Sequence, residues 1–358
     1  MSSKIQSIIV ATGNFVPENI VSNDEFLQHE FYEKDGEKII RENSDVITKF
    51  RDITEIEERR YANPDHNASD LGYFAALNAL ESSTIDPETL DYIIVAHNFG
   101  DIEHGGTRAT VLPTLASRIK HRLGIKNPDC VAYDLPFGCP GWLQGMIQAD
   151  YFIRSGDAQR VLVIGTETLS RVTDPHDRDS MIYSDGAGAT ILEGQAGTDK
   201  GILTHKTQTH TSAEAFYLYS GKSSKPDFVS EDLFIKMDGR KIYEYALTNV
   251  PLVIKQTLDK AGLDIRDVKK VLVHQANGKM DEAILKRLFR LYDIKEVPFT
   301  IMPMTIAKYG NSSVATVPTL LDLILKHQLK DHEINSGDIV VLASVGAGMN
   351  INSMVYRF

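Results

Sequence analysis

The chain has 358 residues, in which 38 Lys and Arg face 49 Asp and Glu, so its formal net charge is −11. This excess of acid argues against a nucleic-acid-binding protein, which needs a basic surface to neutralise phosphates. Hydrophobic residues at 42% and charged residues at 24% are typical of a folded globular chain, and the length predicts one large or two medium domains.

Cysteine content and hydropathy narrow the class further. The two cysteines, Cys130 and Cys139, are too few for a disulfide framework and lack the multi-ligand spacing of a zinc site. No apolar run approaches the roughly 18 residues of a membrane span. The amino terminus lacks the apolar core of a signal peptide. We therefore expect a reduced, cytoplasmic protein without a bound metal.

Short apolar strands alternate with amphipathic helices along the first half. Near-continuous apolar runs, such as LDYIIVA, are typical of strands that are buried on both faces. Strands are predicted at 5–12, 90–96, 130–134 and 159–165, helices in part of 22–60, at 68–81, at 112–123 and from 142 to 156, and a strand–turn–strand around glycines at 181–192.

The second half repeats this rhythm. Helices are predicted at 243–260, 281–291 and 314–329, and strands at 268–273, 339–342 and 352–356. A polar, glycine-containing stretch at 194–200 marks the division between them. The predicted halves are residues 1–195 and 196–358.

The halves also resemble each other in sequence. LDYIIVAHN reads like KKVLVHQAN, RVLVIGTET reads like IVVLASVGAG, and Gly138-Cys139 before a helix matches Gly310-Asn311 before a helix. Each half thus places one polar residue at a strand-to-helix turn. We predict a duplicated α/β domain with its functional site at the seam between the halves.

Cys139 is the first candidate for chemistry. Gly138 permits a tight turn, and Pro140 suits the first helical position, so the sulfur is predicted at a helix N-terminus. The positive end of the helix dipole lowers the pKa of a thiol there, as a nucleophile requires. The alternative is a small buried hydrophobe, the usual state of a free cysteine and the one we expect for Cys130.

Three further positions follow strands or precede helices. His274 comes directly after a buried strand, where open α/β sheets place functional groups, although a lone histidine is often structural. Asn311 precedes a helix, where asparagine is also a good N-cap. Gly346, Ala347 and Gly348 follow a strand and can present backbone N–H groups to an oxyanion.

Taken together, these motifs resemble one known family. GCPGW, the run from RVLVIGTETLSR to SDGAGATIL, HQAN at 274–277, YGNSS at 309–313 and VGAGMNINSMVYRF occur in this order. The sequence resembles the β-ketoacyl-acyl-carrier-protein synthase III branch of the thiolase superfamily over nearly its whole length. The resemblance implies a thiolase-like duplicated α/β/α layered fold, a homodimer, and no metal or redox cofactor.

The resemblance also implies a mechanism. Cys139 would accept an acyl group from a thioester of coenzyme A or of acyl carrier protein, with its own backbone N–H and that of Ala347, between Gly346 and Gly348, holding the oxyanion. His274 and Asn311 would stabilise the enolate formed when a malonyl thioester loses carbon dioxide. The product is a new carbon–carbon bond.

Several positions depart from the family pattern. The Trp and Arg that often sandwich the adenine of coenzyme A align with Lys49 and Ile53, which puts coenzyme A as donor in doubt. Leu112 would reach the acyl tunnel of a partner subunit, and Trp142 replaces a usual Phe near the nucleophile. The same loop contains Glu103, a candidate base for joining two long acyl groups, although it aligns several residues too early.

The helix after HQAN carries a basic face, formed by Lys279, Lys286 and Arg287 with Arg290 nearby. In the family such residues dock the acidic carrier protein, and the alternative is an ordinary solvated helix face. We predict a ketosynthase of fatty-acid-like or specialised biosynthesis, such as alkylresorcinol, pigment or polyketide formation. The rivals are a non-catalytic carrier-binding subunit like a chain-length factor, and an acyltransferase or a relative of hydroxymethylglutaryl-coenzyme A synthase.

Overall fold

The computed structural model describes residues 5–106 and 108–358, which form two similar halves. The elements of the first half are β1 (Ile5–Phe15), β2 (Asn19–Ser22), α1 (Asn43–Thr54), β3 (Glu58–Tyr61), α2 (Ala68–Glu81), β4 (Tyr92–His97), β5 (Asp101–Ile102), β6 (Ala109–Thr110), α3 (Leu115–Arg122), β7 (Val131–Pro136), α4 (Gly141–Ser155), β8 (Arg160–Thr168) and β9 (Asp185–Ala196). Those of the second half are β10 (Gly201–Thr209), β11 (Leu218–Gly221), β12 (Phe234–Met237), α5 (Gly239–Ala261), β13 (Val268–Val273), α6 (Gly278–Arg290), α7 (Ile306–Tyr309), α8 (Thr316–Leu325), β14 (Ile339–Gly346) and β15 (Asn350–Arg357).

Four strands of the first main sheet match the four strands of the second in order and direction. The first sheet runs β1-β9-β8-β4-β7 and the second runs β10-β15-β14-β13. In each sheet the first two strand pairings are antiparallel and the third is parallel. The first sheet has one further strand, β7, which pairs in parallel with β4. This strand-for-strand match confirms the predicted duplicated α/β fold.

The layers explain why α8 is buried along almost its whole length. Helices α4 and α8 lie between the two sheets, and their side chains form one core with inward-facing residues of both sheets. Helices α2 and α3 cover the outer face of the first sheet, and α5 and α6 cover that of the second. The result is a five-layered arrangement in which the middle helices are enclosed on both sides.

The predicted strand–turn–strand at 181–192 is wrong. A short 3-10 helix at Arg178–Ile182 precedes β9, which continues unbroken through the glycines. A Cβ at Gly188 would lie 2.7 Å from Cβ of Pro318 on α8. These glycines therefore serve close packing of the strand against the middle helix and do not mark a turn.

A cap that the sequence did not predict covers one end of the sheets. Residues from 21–56, 169–183 and the hairpin β11–β12 share a separate apolar cluster. Lys236 on the hairpin is buried, and its Nζ lies 2.5 Å from Asp174 Oδ2 and 3.0 Å from Asp177 Oδ2. This ion pair joins the second-half hairpin to the first half.

Within residues 5–106 and 108–358, no helix combines the length and the apolar character that a membrane span requires.

Candidate active site

One large cavity opens between the cap and the ends of the two sheets. Its volume is about 1010 Å³, and its wall is mostly aliphatic and aromatic, with side chains such as Val46, Phe50 and Ile235. The three predicted catalytic residues, which come from different elements, all line it: Cys139, His274 and Asn311. The structure thus brings together what lies far apart in the sequence.

Two glycines shape the turn that carries Cys139. Gly138 has φ +72°, a conformation that favours glycine. A Cβ at Gly138 would lie 3.0 Å from the backbone N of Ala347, and a Cβ at Gly346 would lie 2.6 Å from the backbone N of Cys139. The absence of these side chains lets the two backbone segments touch beside the sulfur.

This contact brings together the backbone segments of Cys139 and Ala347, two residues that line the cavity. Gly346 also lines the cavity, and the role of Gly346 and Ala347 in holding an oxyanion stays a prediction. Gly348 is not among the lining residues. Its φ is +71°, and a Cβ at this position would lie 2.9 Å from Asn350 Nδ2.

The predicted lowering of the Cys139 pKa is wrong. Burial raises the pKa of this thiol to about 11, although the Ser313 hydroxyl, which donates to Sγ at 3.2 Å, acts in the opposite direction. Helix α4 begins at Gly141 with Pro140 as its N-cap, so Cys139 lies one residue before the cap, and burial outweighs the stabilising effect of the helix N-terminus. Cys139 is therefore a neutral thiol near neutral pH. Cys130 is buried apart from this cavity, as expected for a small hydrophobe.

His274 enters the cavity as a neutral imidazole. Burial lowers the pKa of His274 to about 4. Its backbone N–H donates to Ala343 O at 2.9 Å, and its ring Nδ1 is buried without a partner among the described residues. A buried N–H without an acceptor is rarer than an unpaired acceptor, so we assign the ring proton to Nε2. His274 then offers one donor for a ligand.

Asn311 offers a second donor because its carbonyl oxygen is already used. Asn311 Oδ1 accepts from the Ser313 backbone N–H at 2.8 Å, which leaves the amide Nδ2 to donate. The backbone of Asn311 is held on both sides, by Ile182 O at 2.9 Å and by the N–H of Ser184 at 2.9 Å. The turn itself depends on Gly310, whose φ is +58°.

Gln275 connects the His274 strand to the Asn311 loop, a role that the sequence did not indicate. Its Oε1 accepts from the backbone N–H groups of Thr305 and Ile306 at 2.8 and 3.0 Å. Its Nε2 donates to Pro303 O at 2.9 Å. The HQAN motif therefore supplies a cavity donor and, one residue later, the anchor that fixes the start of α7.

A second set of residues near Cys139 had no assigned role. Glu167 Oε1 accepts from the backbone N–H of Asn98 at 2.9 Å and also from its amide Nδ2. The same Nδ2 donates to Ser313 Oγ at 2.9 Å. Burial raises the pKa of Glu167 to about 8. The only sequence signal was that Glu167 and Ser313 lie inside the family motifs.

The two predicted acyl-pocket residues do not line this cavity. Leu112 is 83% exposed, on the loop before α3, and its contact with the acyl tunnel of a partner subunit stays a prediction. Trp142 is buried in the core between the sheets, because its position on α4 faces Gly165 of β8, where an added Cβ would lie 3.2 Å from Trp142 Cβ. Glu103 is exposed and also lies outside the cavity.

Lys49 and Ile53 both line the cavity, on the exposed side of α1. The three predicted docking residues are exposed on α6 but differ in their partners. Lys279 pairs with Glu55 at 2.8 Å, and Lys286 pairs with Glu282 at 3.3 Å. Arg287 donates to Leu247 O of α5 at 3.2 Å, so part of its role is to join two helices.

In the described part of the chain, no cluster of three or more His, Cys, Asp or Glu has the arrangement of a metal site.

Comparison with known proteins agrees with the geometry. A model of the 3-oxoacyl-[acyl-carrier-protein] synthase III family matches residues 133–211, and the model of its C-terminal part matches residues 258–358. The chain is 32% identical over 361 residues to the β-ketoacyl-[acyl-carrier-protein] synthase III of Xanthomonas campestris pv. campestris, with 100% of each chain covered. It is 33% identical over 351 residues to that of Oceanobacillus iheyensis, with 98% of each covered.

A solved structure shows the same similarity in three dimensions. The β-ketoacyl-[acyl carrier protein] synthase III of Thermus thermophilus matches with a TM-score of 0.79 and 29% identity, covering 98% of both chains.

Proposed function

Because the chain belongs to the 3-oxoacyl-[acyl-carrier-protein] synthase III family of condensing acyltransferases, we propose that Cys139 carries the acyl group and that the condensing partner is a malonyl or β-ketoacyl thioester on a carrier protein. The observation that carries this proposal is the convergence of Cys139, His274 and Asn311 on one cavity of about 1010 Å³.

Loading uses the Cys139 sulfur and the two backbone donors beside it. The sulfur attacks the thioester carbonyl, a carbon–sulfur bond forms, and the donor's carbon–sulfur bond breaks. The thiol proton ends on the departing thiol. The N–H groups of Cys139 and Ala347 stabilise the oxyanion between these events. Since the pKa of Cys139 is raised to about 11, the thiol gives up its proton only as the attack proceeds.

Condensation uses the donors on His274 and Asn311. A malonyl thioester releases carbon dioxide, and its remaining electron pair forms an enolate whose oxygen accepts from His274 Nε2 and Asn311 Nδ2. The enolate carbon attacks the acyl-cysteine, a carbon–carbon bond forms, and the carbon–sulfur bond to Cys139 breaks. A proton from solvent restores the thiol, which the raised pKa favours. A neutral imidazole suits this role because it donates without bringing a full charge into an apolar cavity.

The donor is proposed to be an acyl carrier protein thioester rather than a coenzyme A thioester. Lys49 and Ile53 line the cavity where the family often sandwiches adenine, and neither side chain provides an aromatic face there. The basic face of α6 offers docking charge to an acidic carrier protein through Lys279 and Lys286. With these departures, a specialised pathway such as alkylresorcinol, pigment or polyketide formation is favoured over fatty-acid initiation, in a homodimer.

Mass spectrometry of the intact protein incubated with acyl thioesters tests this proposal. The acyl mass is expected on the peptide that contains Cys139 and not on the one that contains Cys130, and Cys139→Ala is expected to abolish both acylation and condensation. A non-catalytic carrier-binding subunit would gain no acyl mass. Labelling of Cys130 with full loss of activity on its substitution would contradict the assignment of the nucleophile.

A further inference from the structure

A continuous line of hydrogen bonds reaches the Cys139 sulfur from a buried carboxyl group. Glu167, at the end of β8, is 2% exposed. It accepts from the backbone N–H and the amide of Asn98, which in turn donates to Ser313 Oγ at 2.9 Å. Ser313 Oγ donates to Cys139 Sγ at 3.2 Å. The four residues come from the ends of β4 and β8, the cysteine turn and the asparagine loop.

The direction of these hydrogen bonds is fixed at the Glu167 end. Both bonds to Glu167 end on one carboxyl oxygen, Oε1, which acts only as an acceptor. This holds for the ionised carboxylate and for the acid protonated on Oε2, which still accepts on Oε1. The Asn98 amide must therefore present its nitrogen, and not its oxygen, to Glu167.

This orientation decides where the Ser313 hydrogen goes. With Asn98 Nδ2 donating to Ser313 Oγ, the serine hydroxyl cannot donate back to Asn98 and is left to donate to the sulfur. If the Asn98 amide were flipped, its oxygen would attract the serine hydrogen, and the sulfur would lose its donor. A donor on sulfur stabilises a thiolate and also a thioester sulfur that is about to leave.

We infer that Ser313 is a further catalytic residue and that Glu167 is a positioning residue, which acts through Asn98 to aim the Ser313 hydroxyl at the Cys139 sulfur. The inference rests on the proposed function for its meaning in the reaction. During loading the sulfur attacks as a developing thiolate, and during condensation it leaves as a thiolate. Loss of the Ser313 donor is therefore expected to slow both steps. Loss of His274 or Asn311 is expected to slow condensation far more than loading.

Two substitutions of Glu167 distinguish the effect of its hydrogen-bond acceptor from the effect of its charge. Glu167→Gln keeps an oxygen that accepts from Asn98 and removes the ionisable group, whereas Glu167→Met keeps the length and removes the acceptor. A negative charge near Cys139 raises the pKa of the thiol, so removing the charge alone would not make the thiol less reactive. The difference between the Met and Gln variants therefore isolates the orienting effect.

The test measures the rate of alkylation of Cys139 by iodoacetamide between about pH 7 and pH 9.5, where the thiolate fraction sets the rate. The buried Cys130 serves as an internal reference by peptide mass. Hydrogen bonds to charged groups correspond to roughly one pKa unit or more. We expect Ser313→Ala and Glu167→Met each to slow the alkylation of Cys139 by about tenfold, the equivalent of one pKa unit, and Glu167→Gln to leave the rate unchanged or slightly higher.

A double variant tests whether Glu167 acts only through Ser313. Because Glu167 is proposed to act only through Ser313, adding Glu167→Met to Ser313→Ala is expected to change alkylation no further. If Glu167→Met unfolds the protein, Asn98→Leu breaks the next link and is expected to give the same slow alkylation. Equal effects of the Met and Gln variants, or additive effects in the double variant, would overturn the positioning role.

The alkylation rate can be measured independently of acyl loading and condensation. It reports on the sulfur whether or not the enzyme acylates Cys139. Failure of acyl loading with the expected alkylation pattern would refute the proposed function and leave the hydrogen-bond line intact. Normal loading and condensation in Ser313→Ala would refute the catalytic role of Ser313 and leave Cys139 as the nucleophile.

Discussion

His97 and His274 follow equivalent strands of the two halves and have different surroundings. Both are buried, with 4% and 5% exposure. His97 uses both ring nitrogens: Nε2 lies 3.0 Å from Asp134 Oδ2, and Nδ1 accepts from the Gly100 N–H at 3.0 Å. His274 faces the cavity and has no ring partner among the described hydrogen bonds.

The different surroundings of His97 and His274 show how two similar halves come to share a single cavity. Asp134 also accepts from the backbone N–H groups of Leu115 and Ala116, so His97 belongs to the cap of α3. In the second half, Gln275 takes over the anchoring of a helix start, and His274 is left free to donate to a ligand. His274 lies two positions after the inward-facing Leu272, whereas His97 lies three positions after the inward-facing Ile94. The two side chains therefore leave equivalent strands on opposite faces, and the face determines whether the histidine anchors a helix or lines the cavity.

The largest expected effect on activity is the loss of condensation when His274 is substituted. His274→Ala is expected to slow condensation by about 100- to 1000-fold, as removal of one oxyanion donor does, while acyl loading is largely spared. Asn311→Ala is expected to behave alike. Steady-state condensation and single-turnover loading measure the two steps.

His97→Ala is the matched control for this comparison. It is expected to lower the free energy of unfolding by about 1–3 kcal/mol, since buried partners lose their hydrogen bonds. Condensation per folded molecule should stay within a few-fold of the unsubstituted protein. A large loss of condensation in His97→Ala with unchanged stability would remove the distinction between the two histidines.

The second test uses the pH dependence of stability. Because burial lowers the pKa of His274 from 6.5 to about 4, the unfolded chain binds its proton more readily than the folded chain in this interval. The contribution of His274 is therefore complete above 6.5 and is lost as the pH falls toward 4. Between about pH 7 and pH 5, the unsubstituted protein is expected to lose about 2 kcal/mol more unfolding free energy than His274→Gln.

Urea denaturation at several pH values measures this difference. The comparison with His274→Gln is necessary because burial also lowers the pKa of His205 and His332, which both proteins share. Parallel pH profiles for the two proteins would show that His274 is charged or solvated in the folded state.

The third test concerns the part of the cavity wall that α1 forms with Lys49 and Ile53. If Lys49 and Ile53 replace an adenine sandwich, a coenzyme A donor lacks a stacking contact and a cation–π contact, each of about 1 kcal/mol. Lys49→Trp with Ile53→Arg is expected to improve loading from acyl-coenzyme A by roughly ten- to thirtyfold and to leave loading from acyl carrier protein unchanged. Efficient loading of the unsubstituted protein by micromolar acyl-coenzyme A would refute this reasoning.

The smallest effect is expected at the α6 surface. Lys279→Glu with Lys286→Glu should weaken the use of carrier-protein substrates several-fold, more strongly at low salt, because exposed charges are screened within about 10 Å at 0.1 M salt. Arg287 is left in place because it also bonds to Leu247 O. Small thioester mimics should react as before.

The control for surface charge is Lys126→Glu with Lys330→Glu, which changes the net charge equally at exposed positions outside α6. Equal losses in both double variants would indicate a general charge effect and no docking role for α6.

Local pattern was sufficient for the strands and helices of the layered core. The predicted 68–81 and 268–273 coincide with α2 and β13, because apolar period and flanking residues act within a few positions. The glycines of β9 misled the prediction, since their reason is contact with Pro318 of a distant helix. The hairpin β11–β12 and the cap also went unpredicted. Lys236 is held there largely by Asp174 and Asp177, about sixty positions away.

The sequence alone was enough to predict the duplicated α/β fold and, through its motifs, three residues that converge on one cavity, Cys139, His274 and Asn311. Only the tertiary structure decided their electrostatic state. A local turn predicts a lowered pKa for Cys139, but burial by distant segments raises it. The Ser313 donor comes from 174 positions away, and its orientation is set across 215 positions by Asn98. Desolvation and hydrogen-bond direction depend on everything that packs around a group, and such information is absent from any local stretch of sequence.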